Sequence, residues 1–453
     1  MFTYVHLQNF KSFDDITFDL TDRYGNPKKM ILIFGENGVG KSNLASAFFM
    51  LAETLRTMDV RDLMQSLLAE KPDNISDEDL SRLVRIHYRD TEALIKDSKM
   101  VASDEPMMLE FGFILEGKKG RYILETDNSQ IIHERLEYVL VKNKGVCFDI
   151  TPEKASISTK IFKSRAAYNE IKTSCVKFWG KHTLLAILMH ESFDKANTFI
   201  REQLNDNIEI VLKFISHMSC KVKFGSAQER SGISLPRGIF SNFMEGSVSV
   251  GEEDLLDNAE RMLNLFFRRT YRDIKNVYYR RKTEDQNIKY QLILTKIIAG
   301  KERDIEFDRE STGTQSLLEL LPFMLVSVYG ACTVIDEFDT AIHDLLVEEL
   351  AYSLYNDHLS EHFTGQLIMT THNTRLMETE IPPECIYVLS ENKDGRKSIE
   401  CILHYDPKIH ENTNVRKQYL GGKYQGIPAA STINFASLLE ALGFKYHKSE
   451  NPQ

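Results

Sequence analysis

Gly35-x-x-x-x-Gly40-Lys41-Ser42 is a spacing of residue types suited to holding phosphate. Glycines at 35, 38 and 40 let the backbone turn tightly, so that successive N–H groups point inward at an anion. Lys41 would reach the β- and γ-phosphates of a nucleotide, and the Ser42 hydroxyl would ligate Mg²⁺. Asn37 inside the loop and Asn43 just beyond it complete the expected binding set, so ATP and Mg²⁺ are the ligands this stretch predicts. A second set lies about 290 residues on. Ala331-Cys-Thr-Val-Ile-Asp336-Glu337 is an apolar run ending in two carboxylates. Asp336 would hold Mg²⁺ through water, complementing Ser42, and Glu337 would orient or deprotonate an attacking water. The bland alternatives are a glycine-rich turn that binds nothing and a strand that simply exits to solvent.

Such residues work only if strands and helices deliver them. Ile31 to Phe34 reads as a short buried strand, and Asn43 to Thr54, rich in Ala, Leu and Phe, as a helix. The phosphate loop therefore has its required strand–loop–helix setting. Gly365-Gln-Leu-Ile-Met-Thr-Thr-His372-Asn373 reads as another buried strand, ending in a histidine. Glu310-Ser311-Thr312-Gly313-Thr314-Gln315 precedes an apolar helix from Leu317 to Tyr329, with Ser311 or Thr314 as its N-cap.

The bulk numbers bound the rest. A chain of 453 residues suggests two domains, or one with a large insertion. Its 42% hydrophobic and 27% charged content is that of a globular protein, and its net charge of −10 disfavours wholesale coating of nucleic acid. The six cysteines are scattered with no C-x-x-C pair, so neither a zinc site nor a disulfide framework is indicated. With no signal peptide and no apolar run near 18 residues, the expectation is a cytoplasmic protein without a membrane segment.

In chain order, Phe2 to Phe13 and Asp15 to Leu20 read as amphipathic strands. Residues 44 to 100 read as mainly helical, broken at Lys71-Pro-Asp-Asn74, with Ser76 as a later N-cap. Residues 108 to 150 change to strand period, and 163 to 220 read as helical. The 222 to 250 stretch reads as loop-rich, followed by a helix at 252 to 273 and strands at Asn276 to Tyr279 and Ile288 to Ile298. The basic cluster Arg268, Arg269, Arg272, Arg280, Arg281 and Lys282 is read first as a solvated face paired with nearby acids, and second as a phosphate- or partner-binding patch. No repeat and no coiled-coil heptad run is visible.

The N-terminal Leu7-x-Asn9-Phe10-Lys11-Ser12-Phe13 resembles the opening of ABC-type ATPases of the SMC/RecF and OLD (overcoming-lysogenisation-defect) groups. In that group the N-terminal hairpin packs beside the nucleotide. By the same resemblance, His372, about 35 residues after Glu337, stands where these ATPases place a switch histidine that touches the γ-phosphate. Glu310-Ser311-Thr312-Gly313-Thr314 is similar to the OLD-like signature motif rather than the Leu-Ser-Gly-Gly form of transporters. Asp336 to His343 resembles the group's acidic-strand and D-loop segment, with Asp344 where a proline is common. Arg416-x-x-Tyr419-Leu-x-Gly422-Lys-Tyr-x-x-Ile427-Pro428 is similar to the C-terminal element of standalone abortive-infection (AbiL-like) ATPases. No Q-loop glutamine is assigned.

The resemblance implies an α/β P-loop NTPase, an ABC-type ATPase head with a large mixed α+β insertion between phosphate loop and signature. The head would comprise residues 1–50 and 306–453, and the helical and β accessory region residues 51–305. It also implies a homodimer, or a higher homo-oligomer, that sandwiches two ATPs. Lys41, Ser42, Asp336, Glu337 and His372 would come from one chain, and Ser311 and Gly313 from the other. The chain stops about 80 residues after His372, which leaves no room for the Toprim nuclease of OLD proteins. The expected role is therefore an ATP-hydrolysing sensor or scaffold of a bacterial anti-phage system, with a separately encoded effector, a nuclease or toxin, as partner. The alternative is a RecF/SMC-like ATPase that binds DNA in repair or replication, so a nucleic-acid partner stays open.

Overall fold

The computed structural model describes residues 1–69, 89–194, 199–223, 229–232, 242–359, 364–409, 413–427 and 435–443. The expected break at 71–74, the Ser76 cap and Pro428 lie outside these residues.

Short apolar runs become the centre of a seven-stranded sheet because they are buried on both faces. Its strands, numbered in chain order, are β3 (Met30–Phe34), β9 (Ser219–Lys223), β10 (Glu229–Gly232), β15 (Cys332–Ile335), β16 (Gln366–Thr370), β17 (Ile386–Glu391) and β18 (Lys397–Cys401), in the spatial order β10-β9-β15-β16-β3-β17-β18. From β9 to β17 neighbouring strands are parallel, and β10 and β18 close the edges antiparallel. The alternation along β3 splits the interior in two. Ile31 and Ile33 join one hydrophobic core, and Met30, Leu32 and Phe34 the other.

A second, antiparallel sheet of seven strands lies on the first core. Its members are β1 (Phe2–Phe10), β2 (Phe13–Asp19) and β4 to β8 (Met107–Leu115, Lys118–Thr126, Ile131–Val139, Lys144–Ile150 and Ala155–Ile157), in the order β2-β1-β4-β5-β6-β7-β8. The helix Lys41–Thr54, α1, shares a core with it, and Phe48 touches Phe2 and Phe111 at ring-centroid distances of 5.5 and 5.8 Å. Gln366 ties the two sheets together, accepting from the Phe2 N–H at 2.8 Å and donating to the Phe2 and Lys28 carbonyls. The third sheet comprises β11 (Glu245–Ser249), β12 (Ile274–Glu284), β13 (Asn287–Ile298) and β14 (Lys301–Glu306), and packs against the helix Glu253–Thr270.

Strand pairing runs across the divisions expected at residues 50 and 305. β1 and β2 share a sheet with β4 to β8, and β9 and β10, from the stretch read as helix end and loop, pair into the phosphate-loop sheet. These are pairings between residues far apart in the chain, which local periodicity does not report. In the basic cluster, Arg281 pairs with Asp257 and Glu260, Arg280 with Glu306 and Lys282 with Glu284, while Arg268, Arg269 and Arg272 are exposed. No described helix is long and apolar enough to cross a membrane.

Candidate functional site

The loop after β3 begins where only glycine fits. Gly35 has φ +151°, and a Cβ there would stand 2.4 Å from the Leu389 carbonyl oxygen of β17. Gly40, at φ +115°, is the N-cap of α1 and supplies no side-chain cap, so the first N–H groups of the helix are left for another acceptor. The turn between β1 and β2 abuts it. A Cβ on Gly40 would lie 3.1 Å from both Phe13 Cζ and Ser12 Oγ, and Asn43 donates to Ser12 Oγ at 2.8 Å. The first residue of α1, Lys41, donates to the Gly35 and Glu36 carbonyls at 2.8 and 3.0 Å. Burial pushes its ammonium down to about 8, against the opposing pull of Asp336, Asp339, Glu337 and Glu36.

The carboxylates arrive from β15. Asp336 follows the strand's last residue and is buried. Its N–H donates to the Lys221 carbonyl at 2.8 Å, and its Oδ1 accepts from Thr370 Oγ1 at 2.6 Å. Its Oδ2 is buried and takes no hydrogen bond from any described residue. Glu337 turns out of the strand with φ +53°, a left-handed conformation that is uncommon outside glycine, and its N–H donates to Thr370 Oγ1 at 2.8 Å. Its Oε2 accepts from Lys223 Nζ at 2.8 Å and from Thr340 Oγ1 at 3.2 Å, and the bond from Lys223 is the main cause holding its carboxyl below the usual range. His372, two residues past β16, donates its N–H to Asp339 Oδ2 at 2.9 Å. Burial, then the charge of Lys41, pushes its imidazole below its ordinary value.

Asn37, Gly38, Gly40, Lys41, Ser42 and Asn43 therefore share one cleft of about 570 Å³ with Glu337, Thr340 and His372. Gly35 sits behind it, its carbonyl holding Lys41. Asp336 lines instead a smaller cavity of about 100 Å³ with Lys223, Glu337 and Thr340. Ser311 and Gly313 line neither. Ser311 is the N-cap of the helix Thr312–Tyr329, its Oγ accepting from the Thr314 N–H at 3.3 Å, and a Cβ on Gly313 would come within 2.6 Å of the Ala341 carbonyl oxygen. The helix thus starts five residues earlier than its apolar run. Exposed His343 accepts the Leu345 N–H on Nδ1 at 3.3 Å, at the start of the helix Asp344–Leu359.

Among the described residues no group of three or more His, Cys, Asp or Glu side chains could hold a metal ion. The donor set nevertheless suits Mg²⁺ bound together with a nucleotide. A hard cation that keeps several waters needs only one or two protein oxygens, and the unpartnered Asp336 Oδ2 and the Ser42 hydroxyl offer them.

Four neighbours had no role assigned from sequence. Thr370, Asp339 and Thr340 were visible as polar residues at strand ends and in the loop after Glu337, but nothing in their spacing distinguished them. Lys223 lay in a stretch without periodicity, and its distance of 114 residues from Glu337 hides the pair. The C-terminal motif also reaches the site from behind. Tyr419 packs on Phe34 and donates to the Gly426 carbonyl at 2.8 Å, and a Cβ on Gly426 would lie 3.5 Å from Gly35 Cα.

Residues 1–377 match the AAA ATPase domain family, and the chain belongs to that family. Among solved structures it is similar to the SMC head domain from Thermotoga maritima, at 14% identity and a TM-score of 0.34, over 88% of this chain and 98% of that one. No curated protein matches the chain.

Proposed function

We propose that the chain binds Mg²⁺-ATP in the cleft around Lys41 and hydrolyses it, and that it uses this cycle as the sensor or scaffold subunit of an anti-phage system controlling a separate effector. The observation that carries the ATP part is the convergence of Lys41, Ser42, Glu337 and His372 on one cleft, beside a buried carboxylate whose Oδ2 has no hydrogen-bond partner among the described residues. Gly38 and Gly40 leave backbone N–H groups for the phosphates, Lys41 neutralises them, and Glu337 takes the proton of an in-line water. Catalysis is then positioning and charge neutralisation. Mg²⁺, held by Ser42 and by Asp336 through water, would supply charge stabilisation at the phosphates.

The defence role is supported by the Glu310-Ser311-Thr312-Gly313-Thr314 signature and the Arg416 to Ile427 element, which are similar to those of OLD-like and abortive-infection ATPases. Ser311 and Gly313 lie outside the cleft, which favours a dimer in which a second copy brings them to the nucleotide. The test is purification of tagged Glu337→Gln, expressed from its native operon, with Mg²⁺ and ATP. A stoichiometric neighbouring protein is the expected result. Nucleic acid without a protein partner would replace this reading by the RecF/SMC-like one. Wild-type ATP turnover by Lys41→Ala and Glu337→Gln would remove the ATPase reading altogether.

A further inference from the structure

We infer that Lys223 is a positioning residue for the hydrolysis proposed above, anchoring one oxygen of Glu337 so that the other is left to take the proton of the attacking water; the inference rests on that reading. The Lys223 ammonium and the Thr340 hydroxyl both donate to Oε2, and Oε1 takes no hydrogen bond from any described residue. Glu337 lines both the phosphate-loop cleft and the smaller cavity, whereas Lys223 lines only the latter. The lysine therefore holds the carboxylate from the side away from the phosphate loop.

The arrangement is built from the backbone up. β9 pairs in parallel with β15, and the Lys221 carbonyl receives the Asp336 N–H at 2.8 Å, so the ladder that fixes Asp336 also sets where Lys223 begins. Glu337 is constrained independently by its left-handed φ of +53° and by its N–H bond to Thr370. Backbone strain of this kind persists where surrounding structure over-determines it. An ordinary surface ion pair lacks these restraints and holds its partners in no single geometry. In the step itself the water oxygen bonds to the γ-phosphorus and its proton passes to Glu337 Oε1. The bond from phosphorus to the bridging oxygen breaks, its electron pair leaving on ADP. A carboxylate free to rotate would meet that water with either oxygen or neither.

The test uses the full chain and compares Lys223→Met, Lys223→Arg and Glu337→Gln by steady-state ATP hydrolysis and by equilibrium binding of a fluorescent ATP analogue. Lys223→Met is expected to lower kcat roughly tenfold, a fraction of what a positioned base contributes. KM and analogue affinity should stay unchanged, and Lys223→Arg should recover most of the rate. An unchanged or raised kcat in Lys223→Met overturns the inference, and the raised value would make the pair a brake. Loss of analogue affinity also overturns it, because Lys223 would then be a phosphate ligand. If Lys223→Met does not fold, Thr340→Val removes the other bond to the same oxygen and is read by the same split. Glu337→Gln at the wild-type rate overturns the hydrolysis reading itself, whereas an inactive Glu337→Gln beside a fully active Lys223→Met overturns only the role of Lys223.

Discussion

The hydroxyl of Thr370 donates to Asp336 Oδ1 at 2.6 Å, joining the ends of two adjacent parallel strands. The Thr370 hydroxyl oxygen in turn accepts the Glu337 N–H at 2.8 Å, so one threonine orients both members of the acidic pair. Its carboxylate partner, Asp336, keeps one oxygen bound, while the buried Oδ2 takes no hydrogen bond from any described residue. That division of labour is the one found around metal-ligating carboxylates, whose outer partners fix the ligand.

Thr370→Val keeps the shape and removes both bonds. It leaves a buried carboxylate and a backbone N–H short of partners, and is expected to cost about 2 kcal/mol of stability. On the proposed role of Asp336 in holding Mg²⁺ through water, loss of this outer partner should raise the Mg²⁺ requirement of nucleotide hydrolysis roughly 10- to 100-fold. Urea denaturation and a Mg²⁺ titration of turnover at fixed ATP measure the two effects separately. Loss of stability with an unchanged Mg²⁺ curve would limit Thr370 to the fold.

Gly426 carries the C-terminal element against the phosphate loop. At φ +67°, a Cβ there would meet Val388 Cγ1 at 2.5 Å and approach Gly35 Cα. Gly426→Ala is expected to destabilise the protein by more than about 1 kcal/mol, since alanine resists this backbone conformation. The displaced contact lies under the loop, so ATP affinity should weaken as well. Equilibrium denaturation together with nucleotide binding tests both, and intact affinity in the destabilised variant would separate the C-terminal element from the site.

Glu134 is a fully buried carboxyl in the antiparallel sheet. It accepts from the Leu184 and Leu185 N–H groups, Trp179 Nε1 and Tyr122 OH. Burial pushes it up to about 7, against the opposing effect of those four donors. The folded protein then binds more protons than the unfolded chain between about 4.5 and 7, so this group's contribution to stability falls as pH rises through that window. Glu134→Gln does not titrate. The stability of the wild type relative to this variant should therefore decrease from pH 5 to pH 8, by an amount of the order of 3 kcal/mol. Chemical denaturation of both proteins at the two pH values checks the sign, and a pH-independent difference would mean that Glu134 ionises normally.

The elements that announce themselves in the sequence are those whose requirements are local. β3, β15, β16 and β17 are buried on both faces and so read as apolar runs, and the glycines at 35, 38 and 40 occupy backbone conformations that a motif can encode. Glu337 and His372 inherit that legibility because each follows such a run within two residues, and Lys41 and Ser42 because they close the glycine motif at the head of α1. Lys223, Thr340 and Gly426 do not. Their significance comes from partners on other elements, and Lys223 sits at the close of a strand that pairs with β15, more than a hundred residues away. In the same way, alternation predicts that β1 is a strand and is silent on its pairing with β4.

Ser311 is exposed at the head of its helix, outside the cleft that holds Lys41, and this makes the two separable by complementation. In a two-fold dimer each nucleotide would take Lys41 from one chain and Ser311 from the other. Lys41→Ala and Ser311→Arg should each be inactive alone. The arginine costs a helix cap of about 1 kcal/mol, which leaves the fold in place. When the two variants are mixed and allowed to exchange, a mixed dimer has one site with both residues intact and one with neither. With random pairing, half the dimers are mixed, so turnover should recover to roughly a quarter of the wild-type value. Hydrolysis measured against mixing ratio, with a maximum at equal amounts, is the expected outcome. Two inactive proteins that stay inactive together would place Ser311 and Lys41 in service of the same nucleotide within one chain.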